Sequence, residues 1–277
     1  MWSTVFDEND GLRLTAQPAL FCISPASVYS TNMKKILVIQ SRARPEMIAA
    51  EQEEYRHSVG DRGECTFLSA LDESLLWMEP AKLLEGFDAI IIGGSGEFDL
   101  HGGRPDDDAA RQTARKILER VKGLADYAID HEKPLLGVCF GHQLLAEMRG
   151  GNVTNDHEQK KVGTFEVQLT AEGKNDPLMQ SLPGSFQAQY GHKDSVTSLP
   201  QGAILLAVGP ACKFSALKFG PKAYTMQFHP ELRAQDVAWK LANSPGYLPE
   251  GVSAESIVKE STEASKIISL FIEKIAA

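Results

Sequence analysis

Residues 134–146 read PLLGVCFGHQLLA. The apolar run PLLGV predicts a strand, and the stretch from Phe140 onward reads as a helix. Cys139 stands at the junction, in a Gly-x-Cys-x-Gly turn flanked by Gly137 and Gly141. A nucleophile on a sharp strand-to-helix turn projects from the sheet rim, and glycines beside it keep bulk from colliding. The N-terminus of the following helix favours thiolate over thiol. It also leaves the Phe140 N–H as an oxyanion donor. An inert cysteine buried at a tight turn is the plainer reading of this motif taken alone.

Outward from this turn, short β-branched runs alternate with amphipathic stretches. KILVIQ (35–40), CTFLSA (65–70) and FDAIIIGG (87–94) predict strands, the last buried on both faces as in a parallel sheet. Residues 45–58 have helical spacing, and 106–132 predict a long helix whose initial acids suit the positive end of its dipole. This alternation predicts an α/β fold with a doubly wound, mostly parallel sheet flanked by helices. Ligands of such sheets bind at the carboxyl ends of the strands, so the glycines after residue 92 and the Cys139 turn are expected at one rim. After about residue 150, VGTFEVQLT, SFQAQYGHKDSV, GAILLAVG, CKFSALKFG and AYTMQFH predict a mixed or antiparallel section added to the same domain. A helix from about Ala254 to Ile275 is expected to close the chain.

The 277 residues suffice for one large α/β domain, and 43% apolar with 23% charged residues is ordinary globular composition. A formal charge of −9 argues against nucleic acid or an anionic membrane as partner. No apolar run approaches the roughly 20 residues of a membrane span. The cysteines, Cys22, Cys65, Cys139 and Cys212, are too sparse for a disulfide scaffold and show no metal-site spacing. A reducing cytoplasm is expected, with one reactive thiol and the others inert. Residues 1–32 lack the pattern of a secretory signal and read as a loose extension, with a single domain over 33–277.

A thiol nucleophile needs a base, and the base needs an orienting group. QFHPEL (227–232) offers both: His229 and Glu231 are two apart, on one face of an extended segment. The carboxylate can hold one imidazole nitrogen while the other faces the sulfur. His192, with Asp194 two residues on, is a rival base that the sequence alone leaves open. His142 is expected to pack or hydrogen-bond rather than react. His57, His101, His131 and His157 read as surface residues. A second oxyanion donor is expected from the glycine loop IIGGSGEFD (91–99), with Gly94 as the donor; this loop lacks the spacing of a P-loop or a dinucleotide fold. No metal site and no cofactor are expected.

GGSG, GVCFGHQLLA and FHPE, in this order over about residues 35–232, resemble the class I (triad) glutamine amidotransferases, and YGHKDSV (190–196) is similar to a segment of their GMP-synthase-like members. The resemblance implies a flavodoxin-like fold and hydrolysis of the glutamine side-chain amide through a γ-glutamyl thioester. It implies Cys139 as nucleophile, His229 as base and then acid, and Glu231 as orienter. Gly94 and Phe140 would supply oxyanion N–H groups. Gln143 and the backbone around Gly191 and His192 would line the substrate pocket. Ser95 stands where many members have proline. Too few residues follow Glu231 for a synthetase domain, so the implied ammonia acceptor is a synthetase subunit on its own chain. Alternatively, a self-sufficient hydrolase of γ-glutamyl peptides or conjugates would use the same triad. A non-catalytic scaffold on this fold is the reading of another class.

Overall fold

The computed structural model describes residues 33–159, 161–210, 212–244, 248 and 251–276. The expected extension over 1–32 lies outside the described residues. The strands in chain order are β1 (Lys34–Gln40), β2 (Gly63–Ser69), β3 (Ala89–Ile92), β4 (Leu135–Val138), β5 (Asn152–Thr154), β6 (Lys161–Leu169), β7 (Ser185–His192), β8 (Ser195–Ser198), β9 (Ala203–Gly209), β10 (Cys212–Phe219) and β11 (Ala223–Met226). The α-helices are α1 (Pro45–Val59), α2 (Pro80–Leu83), α3 (Ala109–Asp130), α4 (Phe140–Met148), α5 (Ala171–Asn175), α6 (Ala234–Ala242), α7 (Ala254–Ile257) and α8 (Ile267–Lys274).

Nine strands form one sheet in the order β2-β1-β3-β4-β11-β10-β9-β6-β7. The run from β2 to β11 is parallel. The run from β11 to β7 is antiparallel. The mostly parallel core and its appended antiparallel section therefore share one sheet, as the change of pattern near residue 150 predicts. Every residue of β3, β4 and β11 is buried. Strands covered on both faces cannot alternate apolar with polar, which is why they read as continuous apolar runs.

Two cores flank the sheet. Tyr55 and Val59 of α1 pack with Ile267, Ile268 and Phe271 of α8 in one. Ile117, Val121 and Leu124 of α3 pack with Leu144 and Leu145 of α4 in the other. Helix α3 starts at Ala109 rather than near 106, because Asp108 serves as its N-cap and accepts from the N–H groups of Ala110 and Arg111. The expected continuous helix from Ala254 to Ile275 is broken. Val258 is extended, the Lys259 N–H donates to Thr164 Oγ1, and the Lys259 carbonyl accepts from Gln189 Nε2 and Thr164 Oγ1. These bonds to β6 and β7 replace those a helix would make. A small antiparallel pair, β5 with β8, splits the expected strand over 185–196 into two.

The turn from β4 into α4 fixes the rim. A Cβ on Gly141 would stand 2.2 Å from the Ile92 carbonyl oxygen, and one on Gly137 would stand 2.9 Å from the Gly141 carbonyl oxygen. Neither position admits a side chain without moving backbone. Gly141→Ala is therefore expected to lower unfolding free energy by about 3 kcal/mol. Gly123→Ala, inside α3 with its nearest neighbour 3.7 Å from the new Cβ, should raise it by about 0.5–1 kcal/mol. Urea unfolding of both variants checks this; equal midpoints would contradict the packing described here.

Candidate active site

Cys139 links β4 to α4 with φ 51° and ψ −97°, a positive φ that L-residues seldom adopt. Its N–H donates to the Met226 carbonyl at 2.7 Å, and the Gly141 N–H donates to the Gly93 carbonyl at 3.2 Å. The elbow is thus tied to β11 on one side and to the glycine loop after β3 on the other. Cys139 is buried. The other described cysteines, Cys65 and Cys212, have thiols pushed up to about 11 by burial, which leaves them protonated and inert at neutral pH.

The segment after β11 bends at Gln227 and Phe228 and turns at Pro230 and Glu231, so it is not the extended run expected. The turn closes with the Leu232 N–H on the His229 carbonyl and still brings Glu231 back to His229. The His229 N–H donates to the Gln189 carbonyl of β7 at 2.8 Å, which locks the segment to the antiparallel half of the sheet. His229 Nδ1 is 2.7 Å from Glu231 Oε1, and both side chains are buried. The ring lies beside Cys139: a Cβ on Gly94 would stand within 3.5 Å of both residues. Burial works against the charged imidazole. The carboxylate of Glu231 and the sulfur of Cys139 outweigh it and raise His229 to about 10.

The other two buried histidines behave oppositely. His142 Nδ1 is 2.8 Å from Thr225 Oγ1, and burial holds the ring down at about 3. His192 Nδ1 is 3.0 Å from the Asp194 carbonyl oxygen, and burial lowers it to about 4. Of the two candidate bases, His229 lies beside Cys139 with the Glu231 carboxylate on its Nδ1, whereas His192 Nδ1 faces the Asp194 carbonyl. His57, His131 and His157 are exposed and His101 is partly so.

Gly94 stands beside both residues: a Cβ there would be 3.0 Å from His229 Cε1 and 3.5 Å from Cys139 Cβ, so a larger residue would press on the ring. Phe140 is the first residue of α4, directly after the thiol. Gln143 is buried, and its Nε2 donates to the Asp194 carbonyl at 2.7 Å, joining α4 to the YGHKDSV segment. The Asp194 carboxylate accepts from the N–H groups of His101 and Gly102, each at 2.7 Å, and so secures the long loop beyond Gly94. Gly191 and His229 border a cavity also lined by Met47, Val162, Leu232 and Leu241. His192 does not border it.

Three neighbours escaped the sequence reading. Gln227 Nε2 approaches Cys139 Sγ at 3.8 Å; its position two residues before His229 was the available signal. Lys240 of α6 pairs with Glu54 of α1 at 3.0 Å, and burial, with Glu231 nearby, lifts Glu54 to about 7 although Lys240 opposes this. Arg42 pairs with Glu51 at 2.9 Å in full burial. Among the described residues no group of three or more His, Cys, Asp or Glu is placed to hold a metal ion, and no helix is long and apolar enough to cross a membrane.

At pH 7, therefore, His229 should be the one charged ring among these three buried histidines. Imidazole NMR is expected to show His229 losing its proton near pH 10, and His142 and His192 staying neutral down to about pH 4. Glu231→Gln removes the attraction that raises His229 and should move its titration to lower pH. A His229 signal titrating at the ordinary value near 6.5 would contradict this electrostatic picture.

The comparisons with known proteins agree with this architecture. The glutamine-hydrolyzing GMP synthase subunit of Methanocaldococcus jannaschii is 35% identical over 116 residues, which is 42% of this chain and 60% of that protein. The protein of the same name from Ignicoccus hospitalis is 35% identical over 142 residues, 50% of this chain and 69% of its own length. Among solved structures, a glutamine amidotransferase from Thermotoga maritima superposes with a TM-score of 0.58 at 17% identity, covering 88% of this chain and 96% of that one. A glutamine amidotransferase from Methylobacillus flagellatus gives 0.57 at 19% identity, with 88% and 93% covered. At such identities the structures speak for the fold alone. The family model described as glutamine amidotransferase class-I matches residues 78–239, more than half of the sequence and the span that holds Gly94, Cys139, His229 and Glu231. The chain belongs to the class I glutamine amidotransferases.

Proposed function

We propose that this protein hydrolyses the side-chain amide of glutamine through a γ-glutamyl thioester on Cys139. The observation that carries the reading is a cysteine at φ 51° beside the ring of His229, whose Nδ1 is held by Glu231 at 2.7 Å. Cys139 Sγ attacks the amide carbon, and its proton resides on His229 Nε2. The carbonyl oxygen becomes an oxyanion that the N–H groups of Gly94 and Phe140 receive. His229 then passes the proton to the amide nitrogen, which leaves as ammonia and frees the thioester. Water attacks the thioester with His229 as base, and glutamate departs with the thiol restored. Throughout, His229 Nδ1–H donates to Glu231, which fixes the tautomer and stabilises the imidazolium. Gln143 and the backbone of Gly191 and His192 hold the glutamine.

The ammonia acceptor in this reading is a synthetase subunit on a separate chain, in the cytoplasm. The relatives that support it are named subunits of GMP synthase.

One observation favours a second reading. The cavity beside His229 is walled by the apolar side chains of Met47, Val162, Leu232, Val237 and Leu241, together with Arg42, Arg44 and Lys240. It borders both His229 and Gly191, so there is room beside the reacting amide for an amine leaving group larger than ammonia, as in a γ-glutamyl peptide.

Ammonia and amine release from glutamine and a set of γ-glutamyl peptides separates the two. Cys139→Ala should lower turnover by roughly 10⁶-fold and Glu231→Gln by roughly 10⁴-fold, because the base survives in the latter. Full activity in Cys139→Ala would refute the thioester route. Preferential cleavage of γ-glutamyl peptides over glutamine would favour the second reading.

A further inference from the structure

The Arg42–Glu51 pair has no part in the chemistry derived above, yet it lies against the residues that do. Arg42 follows β1 with its side chain 6% exposed, and Glu51 on α1 is fully buried. Arg42 Nε and Nη2 both donate to Glu51 Oε1, at 3.0 and 2.9 Å. Gln40 Nε2 donates to the other carboxylate oxygen at 2.9 Å. A buried pair of this kind is weak evidence for stability, because desolvation offsets the attraction. What two bonds to a planar guanidinium do fix is orientation.

The pair runs along the glycine loop. A Cβ on Gly93 would stand 3.3 Å from Glu51 Oε1, and one on Gly94 would stand 3.4 Å from Arg42 Nη2. The same Cβ on Gly94 would also meet His229 and Cys139 within 3.5 Å. The guanidinium, the base and the nucleophile thus surround one backbone position. That position is the one assigned above as an oxyanion donor. Gly93 is fixed as well: its N–H donates to the Ile39 carbonyl at 3.0 Å, and its carbonyl receives the Gly141 N–H. The double glycine therefore serves two purposes, approach to the thiol and room for the ion pair.

We infer that Arg42, gripped by Glu51, is a positioning residue that holds the Gly93–Gly94 loop against Cys139 and His229 and sets a positive charge behind the Gly94 oxyanion donor. The inference rests on the oxyanion role proposed for Gly94. A displaced donor costs rate steeply, because such stabilisation depends on alignment with the transition state.

The test compares two labelling rates at Cys139. A glutamine-shaped diazoketone has a carbonyl that must enter the oxyanion site. Iodoacetamide needs only the reactive sulfur. Loss of charge near the sulfur changes both rates together, whereas loss of loop geometry changes only the first, so the ratio is the readout. In Arg42→Met/Glu51→Gln, which leaves no unpaired buried charge, the ratio should fall about 10- to 100-fold. Arg42→Lys, which keeps the charge and loses the double grip, should lower it less. Peptide mapping of diazoketone on the parent protein tests the glutamine reading separately. An unchanged ratio in both variants, with Cys139 still labelled, would overturn the role of Arg42.

Discussion

The backbone conformation of Cys139 is the constraint on which the site depends. At φ 51° and ψ −97° it lies outside the regions that non-glycine residues favour, and such a residue costs about 1–3 kcal/mol unless its surroundings impose it. Here they do. The N–H of Cys139 is held by β11, the N–H of Gly141 by the loop after β3, and both flanking glycines are packed against backbone. Strands β3, β4 and β11 are buried along their whole length, so the elbow has no slack through which to relax. The strain is what presents the thiol at the rim with a helix N-terminus behind it.

The second half of the site comes from the opposite kind of segment, an irregular run with one isolated bridge, from His229 to Gln189. Glu231 meets His229 because the chain turns at Pro230 and Glu231. The segment is held by backbone bonds from Gln227 to Ser215 and from His229 to Gln189, and Gln189 is fixed in turn by the bonds of its Nε2 to the Lys259 carbonyl and Ser261 Oγ. The break between α7 and α8 therefore reaches the site through a single glutamine. Near Cys139, His229 and Glu231, the carboxylates of Glu51 and Glu54 are matched by Arg42 and Lys240 from other segments. Burial at this density makes each charge act strongly on its neighbours, which is why His229 is raised while His142 and His192, without carboxylate partners, are lowered.

Much of this was legible in the sequence, for identifiable reasons. Buried parallel strands leave apolar runs that periodicity finds. A strained elbow leaves glycines on both sides of its cysteine. The His229–Glu231 pair leaves a spacing of two, although a turn at Pro230 and Glu231, not the expected extended backbone, brings the two together. The Arg42–Glu51 and Glu54–Lys240 pairs were not legible, because charged residues on a helix read as its solvent face. The available signal was that Met47, Glu51, Glu54 and Tyr55 fall on one helical stripe, which placed two acids among the apolar residues of α1. The broken C-terminal helix was missed for a tertiary reason: Lys259 exchanges helical hydrogen bonds for bonds to Thr164 and Gln189.

The central claim is that Cys139 carries the acyl group of the substrate. The most direct measurement is mass spectrometry of the protein mixed with glutamine, quenched in acid within the turnover time and digested. The expected result is a γ-glutamyl group on the peptide that contains Cys139, released by hydroxylamine as a thioester requires. Ammonia release with no such adduct, or an adduct on Cys65 or Cys212, would contradict it.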